Sequence, residues 1–523
     1  MDRIYYSIFN DALGPVMTGP SSSHSAGCNR IGQTARSLFG SEIKKADIIF
    51  EEKGSYPGTY IGQGSNFGFI SGLLGYDTDD IRLKDAVEIA AAEGRDFTFS
   101  KADLGFLHPN QAKIIIYGEN GLPVMTLMTF SVGGGMFKIT GLDGFSIMTD
   151  GSRDQFFIYA DTDYAESVMS CLEGYEISHE EGISGTTLIT VDMAAGQDNG
   201  RILDLKHHPG VGDIRFAKAL LPVTRDPSAV PPFFNAAEAL GYGIDKKTWQ
   251  LAVDYETAYG HVTEAGIREK TRHIREIMEA SCMPPSPATT PVYGFLPYSA
   301  GKMAAKAESA GLIDAGLLNG AMTAAVSVME NSCAHNIIVA APTAGSSGVV
   351  PATVVYMGRK LGRTDEEIEN ALLTAGLIGV FIANQATFAG ETGACQAEMG
   401  SAAAMAAGGL AYLLGLGTEE IFRSASLALQ NMLGLICDPV GGLTEIPCIS
   451  RNVSAAANAV MSANMVLLGF DPVIPLDETI ETAERVGRSI PAELRCTCEG
   501  GLCKTPTACR ILKEINAGRQ SLK

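Results

Sequence analysis

Seven of the eleven cysteines fall between Cys395 and Cys509, and three of them stand where a thiolate can face a cavity. Cys395 lies in Gly390-Glu391-Thr392-Gly393-Ala394-Cys395-Gln396-Ala397-Glu398, Cys437 in Gly434-Leu435-Ile436-Cys437-Asp438-Pro439-Val440-Gly441-Gly442, and Cys448 in Ile446-Pro447-Cys448-Ile449. Gly or Pro in each stretch breaks helices and begins loops, where free backbone N–H groups hydrogen-bond to sulfur. Three such thiolates can bind an iron–sulfur cluster. Three small buried cysteines in a tightly packed helical domain fit the same pattern. The intervals of 41 and 10 residues are unlike a ferredoxin run. A mononuclear zinc site fits less well, because its cysteines usually come in close pairs.

Other residues offer polar chemistry. Arg451 follows Cys448 closely, and its planar fork suits a substrate carboxylate; pairing with Asp438 or Glu445 is the alternative. Pro342-Thr343-Ala344-Gly345-Ser346-Ser347-Gly348 follows an apolar run and precedes a helix, so its N–H groups and hydroxyls suit an anion. It also reads as a Gly-rich capping turn, and no Gly-Lys-Ser/Thr follows to make a nucleotide loop. Near the start, Gly19-Pro20-Ser21-Ser22-Ser23-His24-Ser25 combines three hydroxyls with a side chain that titrates near neutrality. A helix cap with a surface His would look the same.

The elements that must hold these residues follow from composition and periodicity. The 523 residues are 46% apolar and 19% charged, enough to bury a large core. A net charge of −20 argues against nucleic acid and anionic lipid as partners. No apolar stretch of signal-peptide length follows Met1, and the most apolar helical segments, Ala371–Ala383 and Ser401–Gly415, are too short or too broken by Gly to span a bilayer. The expected setting is cytoplasmic, with thiols reduced. Residues 1–145 read as α+β, with strands at Asp47–Phe50 and Ala112–Tyr117 and a hairpin through Glu119-Asn120-Gly121. Residues 146–195 read as a small α+β module, 196–231 as a linker with some local structure, and 232–523 as largely helical. The fold class is therefore multidomain, with an all-α C-terminal domain bearing the cysteines.

Taken together, the motifs resemble the iron–sulfur-dependent L-serine dehydratases, in a form with the beta and alpha parts fused. The resemblance rests on Gly-Pro-Ser-Ser-Ser-His at 19–24, Ser-Val-Gly-Gly-Gly at 131–135, Pro-Thr-Ala-Gly-Ser-Ser-Gly-Val-Val-Pro at 342–351, Cys-Gln-Ala-Glu at 395–398, Cys-Asp-Pro-Val-Gly-Gly-Leu at 437–443 and Ile-Pro-Cys-Ile-Ser-Arg-Asn at 446–452. It implies a [4Fe–4S] cluster on Cys395, Cys437 and Cys448, whose exposed iron takes the hydroxyl of a small amino-acid substrate while a base takes the Cα proton. His24 is then the first candidate to reach the active site from the N-terminal domain. Ser21, Ser22, Ser23, Thr343, Ser346, Ser347 and Arg451 are candidates to hold substrate, and Lys302 is a candidate carboxylate partner. The module at 146–195 takes the place of an ACT-type regulatory domain, although it lacks the usual ligand-loop glycines. Related proteins imply a homodimer.

Two departures from the family pattern stand out. The usual Gly-His-Gly-Thr-Asp stretch reads Gly62-Gln63-Gly64-Ser65-Asn66, and Gln63 cannot act as a base at neutral pH. In place of a terminal cysteine that caps the free iron, the last 30 residues hold Cys496, Cys498, Cys503 and Cys509. Cys509, in Thr-Pro-Thr-Ala-Cys, is the expected removable fourth ligand; a separate metal site from the four is the alternative. L-threonine or L-cysteine in place of L-serine, a pyridoxal-phosphate lyase with a Schiff-base lysine, and a non-catalytic amino-acid or redox sensor are the competing readings.

Overall fold

Alternation of buried and half-buried side chains builds the first sheet. Lys45–Glu51 buries Ile48 and Phe50, and Gln111–Tyr117 buries Ile114 and Ile116, the period of two expected of a sheet with one face on a core. The computed structural model describes residues 3–520 except 183–184, 226–228, 261, 287–294, 308 and 310, with the backbone alone at 515–520. The sheet has six strands in the order Asp96–Ala102, Lys45–Glu51, Gln111–Tyr117, Pro123–Gly133, Met136–Leu142 and Phe145–Thr149. Its first pair is parallel and the rest antiparallel. The sheet thus runs past residue 145.

Two helices, Gly27–Phe39 and Ser65–Leu74, cover its inner face with Ile31, Leu38, Phe69 and Leu73. They cross backbone to backbone. A Cβ at Gly72 would lie 2.0 Å from the Asn29 carbonyl oxygen, and one at Gly32 would lie 2.6 Å from that of Phe69. Only glycine fits such a crossing.

The second unit follows the order strand, helix, strand, strand, helix, strand: Asp154–Asp161, Ala165–Cys171, Glu176–Glu181, Thr186–Met193, Gly200–Asp204 and Val211–Ala217. Its four strands are antiparallel, and Val211–Ala217 pairs with Asp154–Asp161 at one edge. The last strand lies inside the 196–231 stretch expected to be a linker. Its Gly210 and Gly212 and its polar residues hid the short apolar set Val211, Ile214 and Phe216 that packs on this unit's core.

The C-terminal part is helical, as its periodicity predicts. Asp365–Gln385 opens with a capping box between Thr364 and Glu367 and is buried along nearly its whole length, as is Ser401–Leu413 beside it. Its core also holds residues from the far end of the chain. Ile8, Phe9, Ala12 and Leu13 are buried among these helices. The Ile8 N–H donates to Glu256 at 2.8 Å, and Val16–Thr18 pairs antiparallel with Ile337–Val339. Residues 3–18 therefore pack with the helical part, ahead of the sheet domain to which sequence order assigns them. No described helix is long and apolar enough to cross a membrane.

Candidate active site

Three loops of the helical part carry the motif cysteines, and buried amides tie the loops together. Gln396 accepts the Gly434 N–H at 2.8 Å through its side chain, and its backbone N–H donates to Leu435 at 3.0 Å, which sets Cys395 beside Cys437. Asn452, fully buried, donates to Gly345 O and to Cys448 O and accepts the Gly348 N–H, which ties the Gly-rich loop to the Cys448 helix. The Val440 N–H donates to Ile446 O at 2.8 Å and draws the Cys437 and Cys448 loops together. The result is a small cavity, about 40 Å³, lined by Cys437, Cys448, Cys496, Glu391, Glu398, Thr343 and, from the N-terminal domain, Ser21, Ser22, Ser23, Gln63 and Gly133–Gly134. Cavities of about 850 and 1020 Å³ elsewhere are open and carry none of these groups.

The thiols are mutual neighbours. The sulfurs of Cys395 and Cys437 and a carboxylate oxygen of Glu398 lie within 4.8 Å of one another. Hydrogen bonds with Cys395 and Cys496, then burial, push the Cys437 thiol well up; burial and the charge of Cys395 do the same to Cys448. Such thiols stay protonated unless a cation displaces their protons, so this is a donor set that suits a metal centre. Arg451 turns its Nη1 to the Cys395 sulfur at 3.5 Å and to the Ile436 carbonyl at 3.0 Å, and its Nη2 pairs with Asp438 at 2.9 Å. The guanidinium is thereby committed to a thiol and a carboxylate of its own chain, and it does not line the cavity.

Cys509, the expected fourth ligand, does not line the cavity, whereas Cys496 does. Cys509 lies apart, with its sulfur 3.8 Å from the Cys503 carbonyl. Cys496 takes the place beside Cys437. Its backbone N–H donates to Cys437 O at 2.9 Å, its thiol hydrogen-bonds with Cys437, and the Gln63 amide points at its sulfur from 3.9 Å. Cys496 adopts φ +61°, rare for a side chain with a Cβ, and a turn of that kind has no sequence signature outside Gly and Asn.

The N-terminal loop supplies the polar wall. The hydroxyl of Ser21 caps the turn by accepting the His24 N–H at 3.2 Å and donates to the Gln63 side-chain amide oxygen at 3.4 Å. His24 is fully buried one layer behind the cavity, with Nδ1 2.8 Å from Ser23 Oγ and Nε2 2.9 Å from Thr59 Oγ1. The Thr59 hydroxyl donates to Ser55 O, so it accepts from Nε2–H, which leaves Nδ1 as an acceptor facing the Ser23 hydroxyl. Burial lowers the His24 pKa to about 4, against the pull of Glu391. His24 is therefore neutral at pH 7. Ser23 also lies 3.2 Å from Glu391, which accepts from Asn110 at 3.2 Å. Ser22 accepts the Ala344 N–H at 3.4 Å and closes the wall against the Gly-rich loop.

Thr343 faces the cavity and donates to Glu398 at 2.8 Å. Burial raises Glu398 to about 7 despite that bond. Ser346 and Ser347 sit behind Thr343, bonded to backbone and to one another's turn, and do not line the cavity. Lys302 is exposed on the Ala300–Ala307 helix, away from it. It is a helix-start lysine. Glu391 and Glu398 were not singled out from sequence, although both belong to the Cys395 motif; a carboxylate three or four residues from a cysteine has no spacing rule of its own.

Comparison with known proteins agrees with this geometry. The family model described as serine dehydratase alpha chain matches residues 242–503, half of the chain. A probable L-serine dehydratase alpha chain of Bacillus subtilis is 39% identical over 256 residues, covering 49% of this chain and 85% of that protein. An L-serine dehydratase alpha chain of Peptoniphilus asaccharolyticus is 38% identical over 51% of this chain and 92% of its own. An L-serine dehydratase of Streptomyces coelicolor is 26% identical over 96% of this chain and 99% of its own, so the match extends across the N-terminal units as well. With the cysteine loops inside the matched region and the serine loop closing over them, the chain belongs to the serine dehydratase alpha chain family.

Proposed function

We propose that the protein is an L-serine dehydratase, which removes water from L-serine to give pyruvate and ammonia. The observation that carries the reading is a cavity lined by Cys437 and Cys448, with Cys395 beside Cys437, and closed by Ser21–Ser23 from the other part of the chain. The donor set fits a [4Fe–4S] cluster on these three cysteines, with Cys496 in place of Cys509 as the fourth sulfur; when bound, the cluster supplies a Lewis acid for the departing hydroxyl. The chain's own residues do the rest. Ser21, Ser22, Ser23 and Thr343 offer hydroxyls to the substrate carboxylate and ammonium. The Glu398 carboxyl faces the same space and is placed to hold the Cα proton. Ser23, whose hydroxyl stands between neutral His24 and the Glu391 carboxylate, can pass a proton along without exposing the imidazole. Loss of the Cα proton and the hydroxyl leaves aminoacrylate, which tautomerises to an imine and hydrolyses.

Among the described residues no lysine lines the cavity, so the pyridoxal-phosphate reading has no Schiff-base partner among them. The strand–helix order and sheet of residues 154–217 support an ACT-like assignment of the middle unit. A homodimer belongs to this reading through the family resemblance. The test is pyruvate release from L-serine by protein purified without oxygen, with L-threonine and L-cysteine alongside. Activity lost on exposure to air, together with loss of iron and of at least 100-fold in rate in Cys448→Ser, is the expected result. Full iron with no product from any of the three would overturn the dehydratase and favour the sensor, in which Gln63 and Cys496 block the site.

A further inference from the structure

We propose that Cys498 and Cys503 form a reversible dithiol–disulfide site that exchanges with low-molecular-weight disulfides. Both sulfurs converge on one acceptor, the Pro439 carbonyl, at 3.4 and 3.0 Å. The two thiols perturb one another, as near neighbours do. Four residues separate them, and the turn between includes Gly500 and Gly501, with Gly501 at φ +58°. Cys498 itself sits at φ +59°, a conformation rare for a residue with a Cβ. The two differ in access: Cys498 is part-exposed, whereas Cys503 is 3% exposed. That difference assigns roles, Cys498 as the sulfur a small disulfide reaches and Cys503 as the sulfur that resolves the adduct.

The exchange balances with the small disulfide as oxidant. The Cys498 thiolate attacks one sulfur of RSSR; the S–S bond breaks, RS⁻ leaves and takes up the Cys498 proton as RSH. The Cys503 thiolate then attacks the Cys498 sulfur and expels the second RS⁻, which takes up the Cys503 proton. Two protein thiols are oxidised and one small disulfide is reduced to two thiols. Both protein S–H groups are then lost to the Pro439 carbonyl, and Pro439 lines the active cavity two residues after Cys437. The Leu502 N–H also holds Asp438 at 2.8 Å, and Asp438 holds Arg451. The site is therefore wired to the loop that carries a cluster thiol.

The experiment uses the full chain, purified without oxygen and treated with oxidised glutathione. Free thiols are then alkylated, and the tryptic peptide 496–504, which holds Cys496, Cys498 and Cys503, is read by mass spectrometry with fragmentation. The expected product lacks two hydrogens, carries its only alkyl group on Cys496, and reverts on treatment with a dithiol reductant. Cys503→Ser, shown folded by circular dichroism, traps glutathione on Cys498; Cys498→Ser leaves Cys503 unmodified. Alkylation of all three cysteines after treatment, a bond or adduct involving Cys496 instead, or a folded Cys503→Ser that takes no glutathione at Cys498 overturns the proposal. These readouts do not depend on the reaction catalysed, so failure here leaves the dehydratase reading untouched, and failure of that reading leaves this one standing.

Discussion

At the residue scale the site is built from groups whose ordinary chemistry has been suppressed. His24 shows how. Its two ring nitrogens are both satisfied, by Ser23 and Thr59, and burial holds it neutral with a pKa near 4 against 6.5 when free. Between pH 6.5 and 4 the unfolded chain binds a proton that the folded chain refuses. His24 therefore costs stability as pH falls through that window, up to about 3 kcal/mol when complete. Asp11, Glu256 and Glu398, each raised to about 7 by burial, act in the opposite sense, since their contribution is lost as pH rises towards 7. The clean readout is thus a difference. His24→Asn should unfold in denaturant with a shallower loss of stability between pH 6.5 and 4.5 than the unchanged protein, by about 2 kcal/mol. Equal slopes would mean that the imidazole charges in the folded state.

At the scale of elements, the serine loop is aimed by the crossing of Gly27–Phe39 over Ser65–Leu74. The first helix continues directly from the Ser22–Ala26 turn, and the second begins two residues after Gln63. The two backbones touch at Gly32 and Gly72, where a Cβ would meet main-chain atoms rather than a movable side chain. Gly72→Ala must therefore spread the helices. The expected cost is about 1–3 kcal/mol in equilibrium denaturation. The spread also reaches Ser21–Ser23, so KM for L-serine should rise by more than kcat falls. Gly94→Ala, at a glycine with open space around it, tests whether any effect is specific to the crossing, since its cost comes from φ +69° alone.

At the scale of the molecule, the chain is laced rather than strung. Ile8, Phe9 and Leu13 lie in the helical core, and Val16–Thr18 pairs with Ile337–Val339, so the N-terminus completes the part that carries the cysteines. A chain divided at residues 226–228 and expressed as two pieces should reassemble, because buried apolar contacts join them. Residues 229–523 alone should aggregate or bind a hydrophobic dye, because the sites of Ile8, Phe9 and Leu13 stand open. Co-purification of the two pieces in equal amounts is the check, and deleting residues 3–18 from the first piece should abolish it. A soluble, dye-free C-terminal piece would show that the N-terminal segment only decorates that core.

The three motif cysteines, the serine loop and the Gly-rich loop were legible from residues alone, because each couples a reactive type to a Gly- or Pro-bearing break in a periodic segment. The long helices were legible for the same reason, their apolar period running unbroken for several turns. The strand Val211–Ala217 was not, since a short edge strand with glycines carries too few apolar residues to declare a period. Nor was the choice of fourth cysteine. Four stand within 14 residues, and which of them meets Cys437 depends on a backbone hydrogen bond to Leu494 and on two residues at positive φ. Sequence determined which chemistry the chain carries, because that is a matter of residue types. Tertiary structure decided that Arg451 serves a thiol, that Lys302 faces solvent, that His24 stands behind Ser23 and that the N-terminus belongs to the helical core. Each of these is a contact between segments far apart in the chain, where no local pattern records the partner.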